Sequence, residues 1–380
     1  MEVILNAGLG IGAVMFFLLL FKKEKKQGDY FFLVWIITTF FQIAFYEITI
    51  YRFEIQGFWA ILGFALPLLG APFLFLYIAA LSGRHVSWKT ILIHSSIYVI
   101  YVVLFFILQK RNAITLTIVN GYFPLPDNPN FWMQYYAVPL AMSGLVYCVW
   151  DLWLLKKHRK TIVELFSYNE KINLKWVSYI VYSYFTLFIL ASFLIFGATQ
   201  FQLFPIKDAF ALVGISLSVM LIAFGFYGFQ QTAIFSNVNH QNNNSTKGQI
   251  PSVEKSSYSK SGLTPEKIES LANQLSMYME VEKPFLNEDL NLSLLSEQIY
   301  ISQPYLSQVI NQYFNLNFYD YINQYRIEEA KQKLTATKFD HLSILGIAFE
   351  SGFKSKSSFN RYFKKYTGYS PSEFKKKKTL

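Results

Sequence analysis

Seven apolar stretches fill the first 230 residues, and each is 18 residues or longer. They run over Ile4–Phe21, 30–50, 58–81, 90–108, 133–154, 174–197 and 209–230. At about 1.5 Å of rise per residue, about 20 helical residues cross a hydrocarbon layer of ~30 Å. Backbone polar groups cannot stay unpaired in lipid, so runs of this length are expected as helices. The charged share of the chain is 15%, against about a quarter in ordinary soluble domains. The expected fold is all-α: a seven-helix transmembrane bundle over residues 1–232, then a helical domain after it.

The first run is followed by Lys22, Lys23, Glu24, Lys25 and Lys26. A cleaved leader carries its positive charge ahead of the apolar run, so the first run is expected to stay as a membrane helix. Loop charges set the orientation. Twelve Lys/Arg follow spans one, three and five: Lys22, Lys23, Lys25, Lys26, Arg84, Lys89, Lys156, Lys157, Arg159, Lys160, Lys171 and Lys175. The opposite loops carry four, Arg52, Lys110, Arg111 and Lys207. The positive-inside rule then puts the amino terminus outside and everything after span seven in the cytoplasm of an inner-membrane, multi-pass protein. The longest outer loop, 109–132, holds Tyr122, Phe123, Pro124, Pro126, Asp127 and Pro129, and it is too short to be a sensor domain of its own.

Ionisable groups in or near spans are candidates for sensing. Here they are Glu47, His94 and Asp151. The competing reading places all three at the headgroup boundary, where charge is tolerated. Gly63, Pro67, Gly70 and Pro72 in span three point to a kinked helix. The single cysteine, Cys148, excludes a disulfide framework and a cysteine metal site, and is expected as a packing residue. No cofactor and no enzymatic activity are expected: Gly214-Ile215-Ser216 lacks a convincing partner histidine.

Residues 233–263 change to Asn, Ser, Gly and Lys with no apolar period, the composition of a flexible linker. Residues 264–380 return to helical periodicity. Thr264-Pro265-Glu266 reads as a helix start. Leu292, Leu295 and Ile299, then Leu306, Val309 and Ile310, make two short amphipathic helices with a turn near Ile301. A long helix is expected from Asn317 to about Thr335, supported by Glu329 and Lys333 at i, i+4. Ile344, Ile347 and Ala348 form another short helix stopped by Gly352. Phe359, Tyr362 and Phe363 form the inner stripe of the helix after it. Ser370-Pro371-Ser372-Glu373 is a capping box that opens the last helix. Two helix-turn-helix units are therefore predicted, at about 291–315 and 342–367.

The ordered set Ile347-Ala348, Gly352-Phe353, Phe359, Phe363-Lys364-Lys365, Gly368, Ser370-Pro371 and Phe374 closely resembles the signature of AraC/XylS-type transcription regulators. Tyr325-Arg326-Ile327-Glu328-Glu329-Ala330 is similar to that family's linker helix. The resemblance covers the last third of the chain. It implies two helix-turn-helix units joined by a long helix, double-stranded DNA as partner and sequence-specific transcription regulation as function. The helix between the readers would set them about one DNA turn apart, ~34 Å.

Base-reading side chains are expected early on the outer face of each recognition helix. In the first unit these are Gln303, Pro304, Ser307, Gln308 and Asn311; in the second, Lys356, Ser357, Asn360 and Arg361. Ser358 and Lys364 are expected on phosphates. Charge is unevenly placed: residues 353–380 carry nine Lys/Arg and one Glu, whereas 264–352 carry six against twelve acids. Residues 291–315 hold one charge, Glu297, so the second unit is expected to lead affinity. Ser296 and Ile310 depart from the family's usual alanine and phenylalanine, and Asn315 stands at its usual glycine. Other expected partners are the lipid bilayer, a second copy of the chain as a homodimer, and an unknown small ligand or membrane partner. Two alternatives stay open: a transporter or intramembrane enzyme with a regulatory DNA-binding tail, and a constitutive DNA–membrane tether.

Overall fold

The computed structural model of the chain describes residues 2–51, 55–111, 117–118, 135–168, 174–201, 203–241 and 263–378. Most of the expected outer loop, with Tyr122 to Pro129, and residues 242–262 of the expected linker lie outside the described residues. By its contacts the chain divides into two units, residues 1–156 with 174–250, and residues 157–173 with 251–380. Of the described residues between Lys156 and Leu174, 157–168 group with the carboxyl-terminal helices rather than with the first unit.

The first unit is built from α1 (Glu2–Leu20), α2 (Gln27–Tyr51), α3 (Gly57–Ala65), α4 (Pro67–Leu81), α5 (Trp88–Lys110), most of α6 (Val138–Leu165), α7 (Lys175–Gln200) and α8 (Ile206–Gln241). Counting Gly57–Leu81 as one, seven helices among the described residues are long and apolar enough to cross a membrane. The break between α3 and α4 falls at Leu66, because Pro67 has no N–H to continue the ladder. Strand structure among the described residues is one antiparallel pair of two-residue segments, Ile55–Gln56 (β1) with Thr117–Ile118 (β2). The expected linker begins at Ala233, yet α8 continues as helix to Gln241. No proline or glycine falls between Gly228 and Gly248 to end it.

The core of this unit is aromatic. Helix α2 packs against α1, α4 and α8. Trp35 is fully buried and lies 4.7 Å, centroid to centroid, from Phe224, while Phe32 stacks on Tyr77 at 4.8 Å. Close approach of α1 to α8 depends on small residues, with Gly8 against Ser218 and Gly12 against Leu221. Helix α5 buries little of its surface and presents Leu92, Ile93, Val99 and Ile100 outward.

In the second unit α9 (Pro265–Val281) starts as expected, with the Thr264 side chain accepting from the Lys267 N–H. It is followed by α10 (Leu292–Gln298), α11 (Gln303–Gln312), α12 (Phe318–Thr335), α13 (Ile344–Glu350), α14 (Lys356–Thr367) and α15 (Pro371–Lys378). Helices α10–α11 and α13–α14 are the two helix-turn-helix pairs, and α12 is the long helix between them. Side-chain caps start four of these helices: Asn291 on α10, Asn317 on α12, Ser343 on α13 and Ser355 on α14. The capping box on α15 is complete, with the Ser370 N–H donating to Glu373 at 2.7 Å and the Glu373 N–H donating to Ser370 Oγ at 3.3 Å. Glu329 pairs with Lys333 at 3.4 Å and also with Lys283 at 2.8 Å. Ile327, Ala330, Leu334, Ile347, Ala348, Phe353, Phe359 and Phe363 form a continuous core between α12, α13 and α14.

The turns of the two readers use the same backbone but different residues. Each needs a left-handed residue two places after its first helix, and these are Tyr300 (φ 56°) and Gly352 (φ 85°). A Cβ at Gly352 would collide with the Phe285 carbonyl, whereas Tyr300 is 96% exposed. Asn315 is also left-handed, at φ 56°, so the expected tolerance of asparagine there is what the turn uses. Relief of left-handed strain should make Tyr300→Gly stabilise the unit by about 1 kcal/mol. Gly352→Ala should destabilise it by about 2–3 kcal/mol. Chemical denaturation of the two variants checks both signs; a stability loss in Tyr300→Gly would mean the tyrosine ring contributes more than its backbone costs.

Candidate nucleic-acid interface

Helix α14 is the clearest candidate for an outward-facing reader. Its inner stripe, Phe359, Tyr362 and Phe363, is buried as the period requires. Lys356, Ser357, Arg361 and Lys364 are exposed and Asn360 is half-buried, so these five lie on or beside the open face. Ser358 does not: it is 8% exposed, and its N–H donates to Ser355 Oγ at 3.2 Å as part of the helix cap. Ser358 is one position before Phe359 in the inner stripe, so its side chain falls towards the core.

The helix is held by the first turn of α12. Asp320 accepts from Lys365 at 2.8 Å and from the Tyr362 hydroxyl at 3.3 Å. Arg361 donates to the Tyr319 hydroxyl at 3.0 Å. Its guanidinium carbon lies 5.4 Å from the Tyr362 ring centroid. Arg361 is therefore oriented before any ligand arrives, which lowers the ordering cost of a bidentate contact. Tyr319 and Asp320 are residues that the sequence reading did not single out. Their spacing from α14, about 42 positions, leaves no local periodicity by which to find them.

Helix α11 is differently placed. Five consecutive residues, Leu306 to Ile310, are buried. Successive side chains step round a helix by about 100°, so five in a row cover its whole circumference. Ser307 and Gln308, expected on the outer face, are each 3% exposed. Asn311 donates to the Ser307 carbonyl at 2.8 Å, and Gln308 donates to Gln312 at 3.1 Å. The open positions on this helix are Pro304, Tyr305 and Gln312, with Gln303 and Asn311 half-buried. The expected low charge of this reader is matched by a face that offers hydroxyl and amide groups only.

The membrane-region candidates separate into two places. His94 Nδ1 lies 2.7 Å from the Tyr147 hydroxyl, with Phe75 and Trp150 packed around the ring. Asp151 is one helical turn beyond Tyr147 and 1% exposed, and its Oδ1 has no hydrogen-bond partner. Tyr147 thus links these two candidates. Glu47 lies apart, half-buried near the end of α2. Among the described residues no cluster of three or more His, Cys, Asp or Glu could hold a metal ion.

Two short helix pairs joined by one long helix, the second pair ending in a cationic outward helix, define a domain of the helix-turn-helix class. Residues 295–377 match the family model described as a helix-turn-helix domain. An uncharacterized HTH-type transcriptional regulator of Staphylococcus aureus (strain COL) is 37% identical over 103 residues, which is 27% of this chain and 13% of that protein. The msm operon regulatory protein of Streptococcus mutans is 32% identical over 87 residues, 23% of this chain and 30% of that protein. The chain thus spans less than a third of the length of these relatives. A solved protein with unknown function from Listeria innocua is 33% identical, covering 28% of this chain and 94% of that one, with a TM-score of 0.24.

Arg361→Ala is expected to weaken binding to a preferred duplex by ~1–3 kcal/mol and to relax one base preference. Lys364→Ala is expected to weaken binding to all duplexes alike and to flatten the salt dependence. Titration of both variants against preferred and random duplexes separates the roles; equal losses for Arg361→Ala on the two duplexes would reduce it to a phosphate contact.

Proposed function

We propose that the chain is a membrane-embedded, sequence-specific DNA-binding transcription regulator, with the apolar bundle as its sensor. The observation that carries this is a helix-turn-helix domain whose exposed α14 presents Lys356, Arg361 and Lys364, in a chain with seven helices long enough to span a bilayer. Lysine and arginine supply the counterion-release term that dominates duplex affinity, and Arg361 with Asn360 supplies groups that discriminate base edges. Tyr305 and Gln303 take the weaker part at the first reader, in place of the buried Ser307 and Gln308. Residues 264–380 lie in the cytoplasm in this reading, because twelve basic loop residues on one side outnumber four on the other.

Selection of bound duplexes by the full chain in nanodiscs tests the reading. A two-part motif with its halves about one helical turn apart is expected. No preference among duplexes at low ionic strength, or a carboxyl-terminal tag that maps outside the membrane, would overturn it.

The sensor is assigned to the neighbourhood of His94, Tyr147 and Asp151, because a buried carboxyl oxygen without a hydrogen-bond partner is costly unless it has a use. Asp151→Asn and His94→Gln are expected to change output from a reporter gene. Wild-type output from both variants across growth conditions would remove these residues from the sensing path.

A further inference from the structure

Residues 157–168, the last turns of α6 and the three residues after it, group with the carboxyl-terminal unit. The last turns of α6 and the six residues Val163–Tyr168 make the contact. Val163 packs against the core shared by α12, α13 and α14. Phe166 forms an isolated antiparallel bridge with Asn291, the cap of α10. Ser167 is 1% exposed: its N–H donates to the Leu290 carbonyl at 3.3 Å, and its hydroxyl donates to the same carbonyl at 2.5 Å. From the other side Arg326 donates to the Ser167 carbonyl at 3.0 Å and to its hydroxyl at 3.0 Å, and Asn323 donates to the carbonyl at 3.3 Å. Ser167 therefore sits in a polar socket built by α12 and the strand-like residues before α10.

The next residue reaches the start of the second reader's recognition helix. Tyr168 places its ring 3.9 Å from Lys354 Nζ, and Lys354 also pairs with Asp289. Lys354 directly precedes the Ser355 cap of α14, beside Lys356. That is where cationic side chains of a recognition helix meet phosphate. With the segment docked, the Lys354 ammonium is committed to an aromatic face and a carboxylate. Burial, with the acids Asp289 and Glu288 nearby, raises the Tyr168 hydroxyl above its ordinary pKa, so the ring stays neutral and keeps its cation-binding face.

We propose that Val163–Tyr168 is an autoinhibitory docking segment: seated on α12 and α10, it withholds Lys354 from DNA, and its release strengthens binding. The proposal rests on the reading of residues 264–380 as a DNA-binding domain. Because the segment continues directly from α6, the same helix that carries Tyr147 and Asp151, displacement of that helix along the chain is the physical route to release. The Asp289 pair does not hold Lys354 by itself, since the Asp289 side chain is 52% exposed and such pairs are weak in water.

The test uses the full chain in nanodiscs. Tyr168→Ala should raise affinity for both preferred and random duplexes roughly ten-fold, the worth of one charge-assisted contact. It should also steepen the dependence of log affinity on log salt by about 0.9. Tyr168→Phe keeps the ring and should behave as wild type. Lys354→Ala should erase the gain in the Tyr168→Ala background. Ser167→Pro removes the N–H and hydroxyl from the socket and, without DNA, should speed hydrogen exchange across 287–291 and 319–327. Unchanged or weakened DNA binding in Tyr168→Ala, or unchanged exchange in a folded Ser167→Pro protein, overturns the proposal. Should wild type bind no duplex at all, the functional reading fails, and the exchange measurement still decides whether the segment docks.

Discussion

The carboxyl-terminal unit depends on one buried cation. Arg326 is 1% exposed, and four of its N–H bonds point at oxygens: the carbonyls of Phe285 and Asn287, both at 2.8 Å, and the carbonyl and hydroxyl of Ser167. Burial lowers its pKa to about 10, which leaves it charged at neutral pH, and the nearby Glu288 and Asp289 offset part of that burial cost. A planar guanidinium can satisfy three separate chain segments at once because its donors diverge in a fixed fork. Here it fastens the turn before α10, the segment after α6 and the middle of α12. Its guanidinium carbon lies 5.9 Å from the Phe353 ring centroid, which extends the contact to the turn of the second reader.

Around that fixed point the two readers are built to different standards. The second has a glycine in its turn, a core of interlocking phenylalanines and a recognition helix tied to α12 through Asp320 and Tyr319. The first carries a strained, solvent-exposed tyrosine in its turn and a recognition helix whose middle turn, Leu306 to Ile310, is buried all round. Electrostatics follow the same asymmetry, since nine of the basic residues lie at or after Phe353. In the proposed function the cationic reader is the one expected to lead affinity, because phosphate contacts from Lys and Arg dominate duplex binding.

Much of this was legible in the chain. The seven apolar helices, the Thr264 start, the Glu329–Lys333 pair, the left-handed Asn315 and the Ser370–Glu373 capping box all came from patterns spanning a few residues. The positions of Lys356, Arg361 and Lys364 followed from the phase of Phe359 and Phe363. Ser307, Gln308 and Ser358 did not follow, because phase tells which side of a helix is apolar but not what else lies against the polar side.

The sequence by itself determined where helices begin and end, which stripe of each is apolar and where the positive charge collects. Those properties are set by caps, periodicity and composition within a turn or two. Only the tertiary structure decided that Ser167 meets Arg326 across 159 positions, that Tyr168 covers Lys354, and that the middle of α11 is enclosed. Contacts at such separation are made by whichever surfaces fit once the helices have assembled, and backbone carbonyls, which every residue carries, leave no mark in the sequence.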